Sequence, residues 1–196
     1  MPRVKPDIET FARIKVIGVG GGGGNAVSRM FNAQIKGVDF IAVNTDSQDL
    51  HHAKAHAKIH IGKNLTRGLG AGMNPDIGRQ AAEENRDEIA DALKGADLVF
   101  ITCGLGGGTG SGASAIIADA AHDVGALVVA VVTKPFSFEG KKRASIADEA
   151  LLALRDRVDT LITIPNDKVL NLVDKNTSII QAFGIIDEIL HQGVSG

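Results

Sequence analysis

GVGGGGGNAV, Gly18–Val27, sets the terms for reading the rest of the chain, because five of its residues, Gly20–Gly24, are consecutive glycines. Each glycine costs about 0.5–1 kcal/mol relative to alanine inside a helix or strand. A flexible linker would explain such a run, but linkers usually mix glycine with serine and join separate domains. Here Ile14, Val16, Ile17 and Val19 precede the run and read as a buried strand. Ala26, Val27, Met30 and Phe31 follow it and read as one face of a helix. A strand–glycine–helix join is a place where backbone closely approaches an anion.

A second cluster, CGLGGGTGSGAS, spans Cys103–Ser114 and also follows an apolar run and opens a helical pattern. In an open α/β sheet the loops at the carboxyl ends of strands line the ligand crevice. Each helix behind such a loop offers unpaired N–H groups and about half a positive charge at its N-terminus. Thr109 and Ser111 add hydroxyl donors. The pattern predicts a polyphosphate cavity with donors on two sides. The P-loop pattern GxxxxGK[ST] is absent, and neither cluster contains lysine. The dinucleotide pattern GxGxxG is met by Gly18, Gly20 and Gly23, with Asp39 about twenty residues on as the acid. That reading, a dinucleotide module of an oxidoreductase, uses one loop. A mononucleotide would use both.

Composition narrows the classes. Net charge is -2 over 196 residues, which gives no electrostatic reason to expect nucleic acid or an anionic membrane as a partner. No apolar stretch approaches the ~20 residues that span a bilayer, and no continuous apolar signal core precedes Ile14. The single cysteine, Cys103, allows no internal disulfide, so the expected setting is reducing and cytoplasmic. Cys103 itself reads as a small core residue. Four of the six histidines fall in HHAKAHAKIH, His51–His60. His52 and His56 would share a face if this segment were helical, a conceivable metal site, but the favoured reading is a polar, exposed segment before a strand.

Apolar runs predict strands at Ile14–Val19, Phe40–Val43, Lys58–Ile61, Leu98–Cys103, Leu127–Thr133 and Thr160–Ile164. They are short and apolar on both faces, as in a parallel sheet covered by helices on each side. Helical patterns fill the intervals. One runs from an Asn74-Pro75-Asp76 start toward Leu93, and others cover Gly110–Val124, Arg143–Val158 and Ile179–Leu190. The alternation predicts an α/β fold, a three-layer Rossmann-like parallel sheet.

GGGTGSG, Gly106–Gly112, resembles the signature of the tubulin superfamily of GTPases. The wider sequence is similar to the FtsZ family, its bacterial cell-division branch, through VGGGGGNAV (Val19–Val27), VNTDSQDL (Val43–Leu50), GLGAGMNPDIGRQAAEE (Gly68–Glu84), TKPFSFEGKKR (Thr133–Arg143), IPNDKVL (Ile164–Leu170) and AFGIIDEIL (Ala182–Leu190). The likeness covers about residues 12 to 196. It implies that GTP or GDP is bound, with Mg²⁺ held largely through phosphate and water and Asp46 and Gln48 at most in the outer shell. Gly21, Gly22, Gly23, Gly24 and Asn25 would hold the nucleotide from one side. Gly107, Gly108, Thr109 and Gly110 would hold it from the other. Ala71 and Gly72 would meet the γ-phosphate, and Glu139 and Arg143 the ribose. On this basis a Cβ at Gly22 or Gly108 would enter the space the phosphates need.

For the base, Phe183 and Asp187 lie four apart and share a helix face. Phe183 would stack on the ring and Asp187 would accept two N–H groups from the guanine edge, with Asn166 completing the reading. Without the resemblance, Phe183 reads equally as a core aromatic and Asp187 as a solvated acid. Glu139–Arg143 then reads as a surface ion pair, and Thr109 as a helix cap. The resemblance divides the chain into an N-terminal arm (1–12), a GTP-binding domain (13–178) and the start of a central helix (179–196). It implies head-to-tail filaments with other FtsZ subunits, and a C-terminal half that brings the catalytic acids to the neighbouring subunit's nucleotide. The chain is expected to be a truncated or divided member working at the cytoplasmic division site.

Overall fold

The structure, a computed structural model, describes residues 11–171 together with 177, 178, 181, 184, 185, 188, 189, 191 and 192. Strands β1 (Ile14–Val19), β2 (Val38–Asn44), β3 (Ala57–His60), β4 (Leu98–Gly104), β5 (Leu127–Lys134) and β6 (Thr160–Pro165) form one parallel sheet in the order β3-β2-β1-β4-β5-β6. All six expected strands form: β1 with the expected bounds, β4, β5 and β6 one residue longer, β2 three residues longer, and β3 shifted one residue toward the N-terminus. Strand β1 is central, and Val19 stands opposite both Val43 and Cys103. The chain winds outward from β1 to one edge, then from β4 to the other. The order therefore reverses between β1 and β4, and a crevice opens there at the carboxyl ends of the strands.

Side chains alternate between two cores, one on each face of the sheet. Val16, Phe40 and Val131 face α1 (Gly20–Asn32), which contributes Ala26, Val27 and Met30. Ile17, Ile41, Val99, Ile101, Val128 and Val132 face the other layer. That layer is α4 (Pro75–Glu84), α5 (Arg86–Leu93), α6 (Gly108–Asp123) and α7 (Lys141–Arg155). Short helices α2 (Ser47–His52), α3 (Lys63–Thr66) and α8 (Asn166–Leu170) follow β2, β3 and β6.

Several elements differ from the sequence reading, among them the expected Arg143–Val158 helix, which runs Lys141–Arg155. The expected Asn74–Leu93 helix is two helices. Asn74 caps α4 as expected, its Oδ1 accepting from Asp76 N at 3.0 Å. At Asn85 the backbone leaves helical geometry (φ -110°, ψ 21°), because its side chain is taken up elsewhere. Asn85 Oδ1 accepts from Gly62 N and its Nδ2 donates to Glu88, both at 2.9 Å. Helix α1 starts inside the glycine run, at Gly20, and α6 starts at Gly108. The histidine-rich segment is helical only to His52. His56 pairs through its main chain with Phe40, and its Nδ1 accepts from Phe40 N at 2.9 Å. His52 and His56 therefore share no helix face. Among the described residues no group of three or more His, Cys, Asp or Glu is placed to hold a metal ion, and no helix is long and apolar enough to cross a membrane. The Ile179–Leu190 pattern falls largely outside the described residues.

Helix α6 is fixed against α4 by glycine. A Cβ built on Gly112 would stand 1.9 Å from the Pro75 carbonyl oxygen and 2.7 Å from Arg79 N. Both obstacles are backbone and cannot swing aside. Gly112→Ala is therefore expected to lower stability by about 2–3 kcal/mol in urea unfolding, as overpacking does. Gly107→Ala, whose Cβ would meet nothing within 4 Å, is expected to leave the midpoint unchanged.

Candidate functional site: a glycine-lined cavity at the switch point

A cavity of about 600 Å³ opens where the strand order reverses. Its floor is the carboxyl ends of β1 and β4 with their glycine loops, and its walls come from the β2–α2 connection, the loop before α4 and the β5–α7 connection. It is lined by twelve of the sixteen residues that the sequence assigns to the nucleotide. Gly21, Gly22 and Asn25 stand at the start of α1, and Gly107, Gly108, Thr109 and Gly110 at the start of α6. Ala71 and Gly72 come from the loop before α4, Glu139 and Arg143 from the β5–α7 connection and α7, and Asn166 is the first residue of α8. Gly24 lies in a smaller adjoining recess with Asp49 and His52. Gly23 faces the sheet: a Cβ there would stand 2.4 Å from the Thr102 carbonyl oxygen. Phe183 and Asp187 lie outside the described residues.

The two glycine clusters do different jobs along their length. Gly20 takes φ +72°, where only glycine is comfortable, and turns the chain directly from β1 into α1. Gly18 and Gly23 let α1 sit on the sheet, since a Cβ on Gly18 would meet the Gly23 carbonyl oxygen at 2.2 Å. Gly20, Gly21 and Gly22 then lie in the first turn, whose N–H groups have no intrahelical partner, and no side chain caps the helix. Helix α6 repeats the design. Gly110 abuts the Gly104 carbonyl oxygen, and Ser111 Oγ accepts from Gly106 N at 2.9 Å, closing the loop. Gly108 N is already used, donating to the Gly72 carbonyl at 2.8 Å and tying the signature loop to the loop before α4. Thr109 and Gly110 supply the open amides at that end.

Side-chain charge in the cavity is sparse and mostly negative. Among the described residues, Asp46, Asp49 and Glu139 line it against one cation, Arg143. Asp46 Oδ1 caps α2, accepting from Gln48 N and Asp49 N. Glu139 sits 3.7 Å from Arg143 and accepts from Phe136 N at 3.0 Å. Asn166 is 3% exposed, and its Oδ1 has no hydrogen-bond partner among the described residues. An anion here would be met by helix N-termini and amides.

Several lining residues were missed in the sequence. Asn44, Asp49, Leu69, Gly70 and Thr133 all face the cavity. The signal for the first two was available: a polar run, Asn44–Asp49, closes a strand that neighbours β1. Leu69 and Thr133 carry no such mark. Asp39, the acid of the dinucleotide reading, stands opposite Lys15 at the opening of β2, the end remote from the cavity. Cys103 is buried beneath the signature loop. Burial pushes its thiol up to about 12, with the Ser114 hydroxyl 3.1 Å away moderating the rise, so it is a core thiol and no nucleophile.

A doubly wound sheet with two glycine-opened helices converging on one crevice defines a Rossmann-like phosphate-ligand domain. Within that class the comparisons identify the branch. Residues 13–174 match the Tubulin/FtsZ family, GTPase domain, and the chain belongs to that family. The fold matches FtsZ of M. jannaschii, solved as an empty dimer, at 49% identity and TM-score 0.92, over 96% of this chain and 55% of that one. It also matches CetZ2 of Haloferax volcanii, solved as a GTPγS-bound protofilament, at 28% identity and TM-score 0.84, over 93% of this chain and 57% of that one. CetZ1 of the same organism, a GDP-bound monomer, matches at 27% identity and TM-score 0.81, over 92% and 58%. The chain thus spans little more than half the length of these proteins. The dinucleotide reading is not favoured.

The packing revises one expectation about the glycines. A Cβ on Gly22 would point at Gly104, 3.4 Å from its nitrogen, and φ there is not positive. One on Gly108 would lie 2.8 Å from the carbonyl oxygens of Ala71 and Asn74. Gly108→Ala is expected to cost about 1–3 kcal/mol of stability before any ligand is added. Gly22→Ala is expected to stay within about 1 kcal/mol of the unmodified protein, alanine's helix propensity offsetting the contact. Thermal unfolding of both variants without ligand is the check.

Proposed function

We propose that this chain is the guanine-nucleotide-binding half of an FtsZ, the filament-forming GTPase of cell division. The observation that carries the reading is the convergence of two uncapped helix N-termini, α1 and α6, on one cavity between β1 and β4. The higher identity to FtsZ than to CetZ supports the FtsZ branch. In this reading the amides of Gly21, Gly22, Thr109 and Gly110 meet the phosphates, and Ala71 and Gly72 flank the γ-phosphate. Glu139 and Arg143 meet the ribose. Mg²⁺ would be bound through phosphate oxygens and water beside Asp46 and Asp49, offsetting a cavity wall otherwise rich in carboxylates.

Guanine selection would rest on Asn166, Phe183 and Asp187. The unpartnered Asn166 Oδ1 supports this, since a buried acceptor without a donor favours a ligand that brings one. Residues 13–178 would form the nucleotide domain and 179–196 the start of the central helix. The partners would be further copies of the protein, stacked head to tail, and a C-terminal half. A dimer and a protofilament among the matched structures support self-association, as do the exposed Leu69 on the cavity wall and Phe138 beside Glu139.

Calorimetric titration tests the assignment. GDP and GTP are expected to bind and ATP to bind far more weakly. Asp187→Ala should remove charge-assisted bonds worth about 1.5–3 kcal/mol and blur the preference. Equal affinity of the unmodified chain for GTP and ATP would sink the reading.

Turnover follows a separate logic. Donors that grip ground state and transition state alike do not accelerate hydrolysis. A group must also orient the attacking water, and the resemblance places the family's acids for that step outside these residues, on a neighbouring subunit. The chain alone is therefore expected to release phosphate slowly, to form no filaments and to cap filaments of an intact homologue. Phosphate release measured across protein concentration, with and without a C-terminal half, is the test. Brisk, concentration-dependent turnover by this chain alone would show that its catalytic groups lie within residues 1 to 196.

A further inference from the structure

Behind the cavity wall, the connection from β2 to α2 carries a buried hydroxyl, Thr45, that is fully shielded from solvent. Its Oγ1 lies 2.7 Å from Thr109 Oγ1, and Thr109 is itself 9% exposed. Thr109 lines the cavity and Thr45 does not. The pair is sequence-remote, 64 residues apart, and joins the β2 side of the crevice to the signature loop.

Two hydroxyls own two protons, and the bond between them uses one. Among the described residues neither Oγ1 has a second hydrogen-bond partner. One proton is therefore left without a protein acceptor, next to a cavity built for an anion. A hydroxyl proton with no acceptor in a buried place is costly, and the arrangement that satisfies both groups is ordered. Thr45 donates to Thr109, and Thr109 donates onward to an acceptor in the cavity. The reverse order would bury the spare proton on Thr45, away from any ligand.

Thr45 is held firmly enough to set that order. Its carbonyl accepts from Thr66 Oγ1 at 3.2 Å and lies 3.2 Å from His60 Nε2, which donates as its Nε2–H tautomer. Thr66 is further fixed to the Gly62 carbonyl at 3.1 Å. On the other side Asn44 O accepts from Ile61 N, and Asp46 caps α2. The main chain around Thr45 is thus pinned on both sides by α3, β3 and the cap of α2. A donor chain of this kind also polarises its last member, strengthening the outward bond.

We infer that Thr45 is a positioning residue that fixes the Thr109 hydroxyl as a donor to a phosphate oxygen of the bound nucleotide. The inference rests on the nucleotide reading above and adds a residue to it. Thr45 touches no ligand and acts only through Thr109.

The test is calorimetric titration of the full chain with GDP and with GTP, on the unmodified protein and on Thr45→Val, Thr45→Ser, Thr109→Val and the Thr45→Val/Thr109→Val double variant. Thermal unfolding without nucleotide is measured alongside. Thr45→Val is expected to bind about five- to tenfold more weakly, less than the loss of a whole hydrogen bond to a charged group, because the Thr109 hydroxyl is still present but no longer oriented. Thr45→Ser, which keeps the hydroxyl, should return to within about twofold of the unmodified protein. In the Thr109→Val background Thr45→Val should have no further effect, because there is no hydroxyl left to orient. Should Thr45→Val not fold, Thr45→Ala carries the same expectation. Unchanged affinity in Thr45→Val, or an equal loss in the Thr109→Val background, would overturn the inference while leaving the nucleotide reading intact. Absence of guanine-nucleotide binding by the unmodified chain would overturn that reading, and the inference with it.

Discussion

Backbone touching backbone at the centre of the sheet is the constraint on which the rest of this domain depends. Gly18 of β1 faces Gly23 of α1, and Gly23 in turn faces the Thr102 carbonyl of β4. With no side chains between them, α1 lies directly on the two central strands. The same device sets α6, whose Gly110 meets Gly104 and whose Gly108 and Gly112 meet the loop and first turn of α4. Close packing leaves each helix N-terminus level with the strand ends, so both amide clusters face one crevice. A helix held a side chain's width further off the sheet would aim its dipole past the ligand. Much of the glycine in this sequence is therefore a packing requirement that produces a binding geometry, with few residues that contact the cavity for its own sake.

Electrostatics explains why backbone carries the task. A lysine in the cradle would add a full charge, but among the described residues the cavity instead holds three carboxylates and one guanidinium. Amides and helix ends give a positive field that is fixed in place and costs no side-chain ordering. The carboxylates of Asp46 and Asp49 oppose a bare anion. In the proposed function such a site would favour a metal-neutralised polyphosphate over a bare one. Hydrogen bonds between loops reinforce this, since the bond from Gly108 N to Gly72 O and the Thr45–Thr109 pair hold the walls in register.

What the sequence disclosed and what it withheld divide along physical lines. The central strands were legible because each is a short apolar run whose residues fill a core on either face, whereas β3, with Ile59 alone buried, formed with its bounds one residue off. Helix starts were displaced, because glycine was read as loop. In α1 and α6 it is helical, its propensity cost offset by contacts that only glycine permits. The Asn85 break was hidden because its cause is tertiary: a side chain drawn to Gly62, far away in sequence. In the site, loop residues announced by glycine were found, and wall residues with ordinary chemistry were not. Leu69, Thr133 and Thr45 reach the cavity or its lining only through the sheet order, which no local pattern encodes. Gly23 shows the opposite error, a residue of the right motif turned toward the sheet.

Leu69 links the site to association. It is 83% exposed, yet it is held rigidly between Gly68 and Gly70, both in the left-handed region, and bridged to Asp46. A large apolar side chain is not pinned outward for the stability of the domain that carries it, since burial is what favours such groups. The position makes sense if another surface covers it, as the proposed head-to-tail contact would. The loop that displays Leu69 also supplies Ala71 and Gly72 to the cavity, and it is tied to the signature loop through Gly108. Any ligand contact that shifts Ala71 or Gly72 must therefore act on Leu69 through three residues of glycine-rich backbone. The coupling of nucleotide to assembly would need no long pathway in this architecture, because one short loop forms both the wall of the cavity and part of the face that a neighbour would meet.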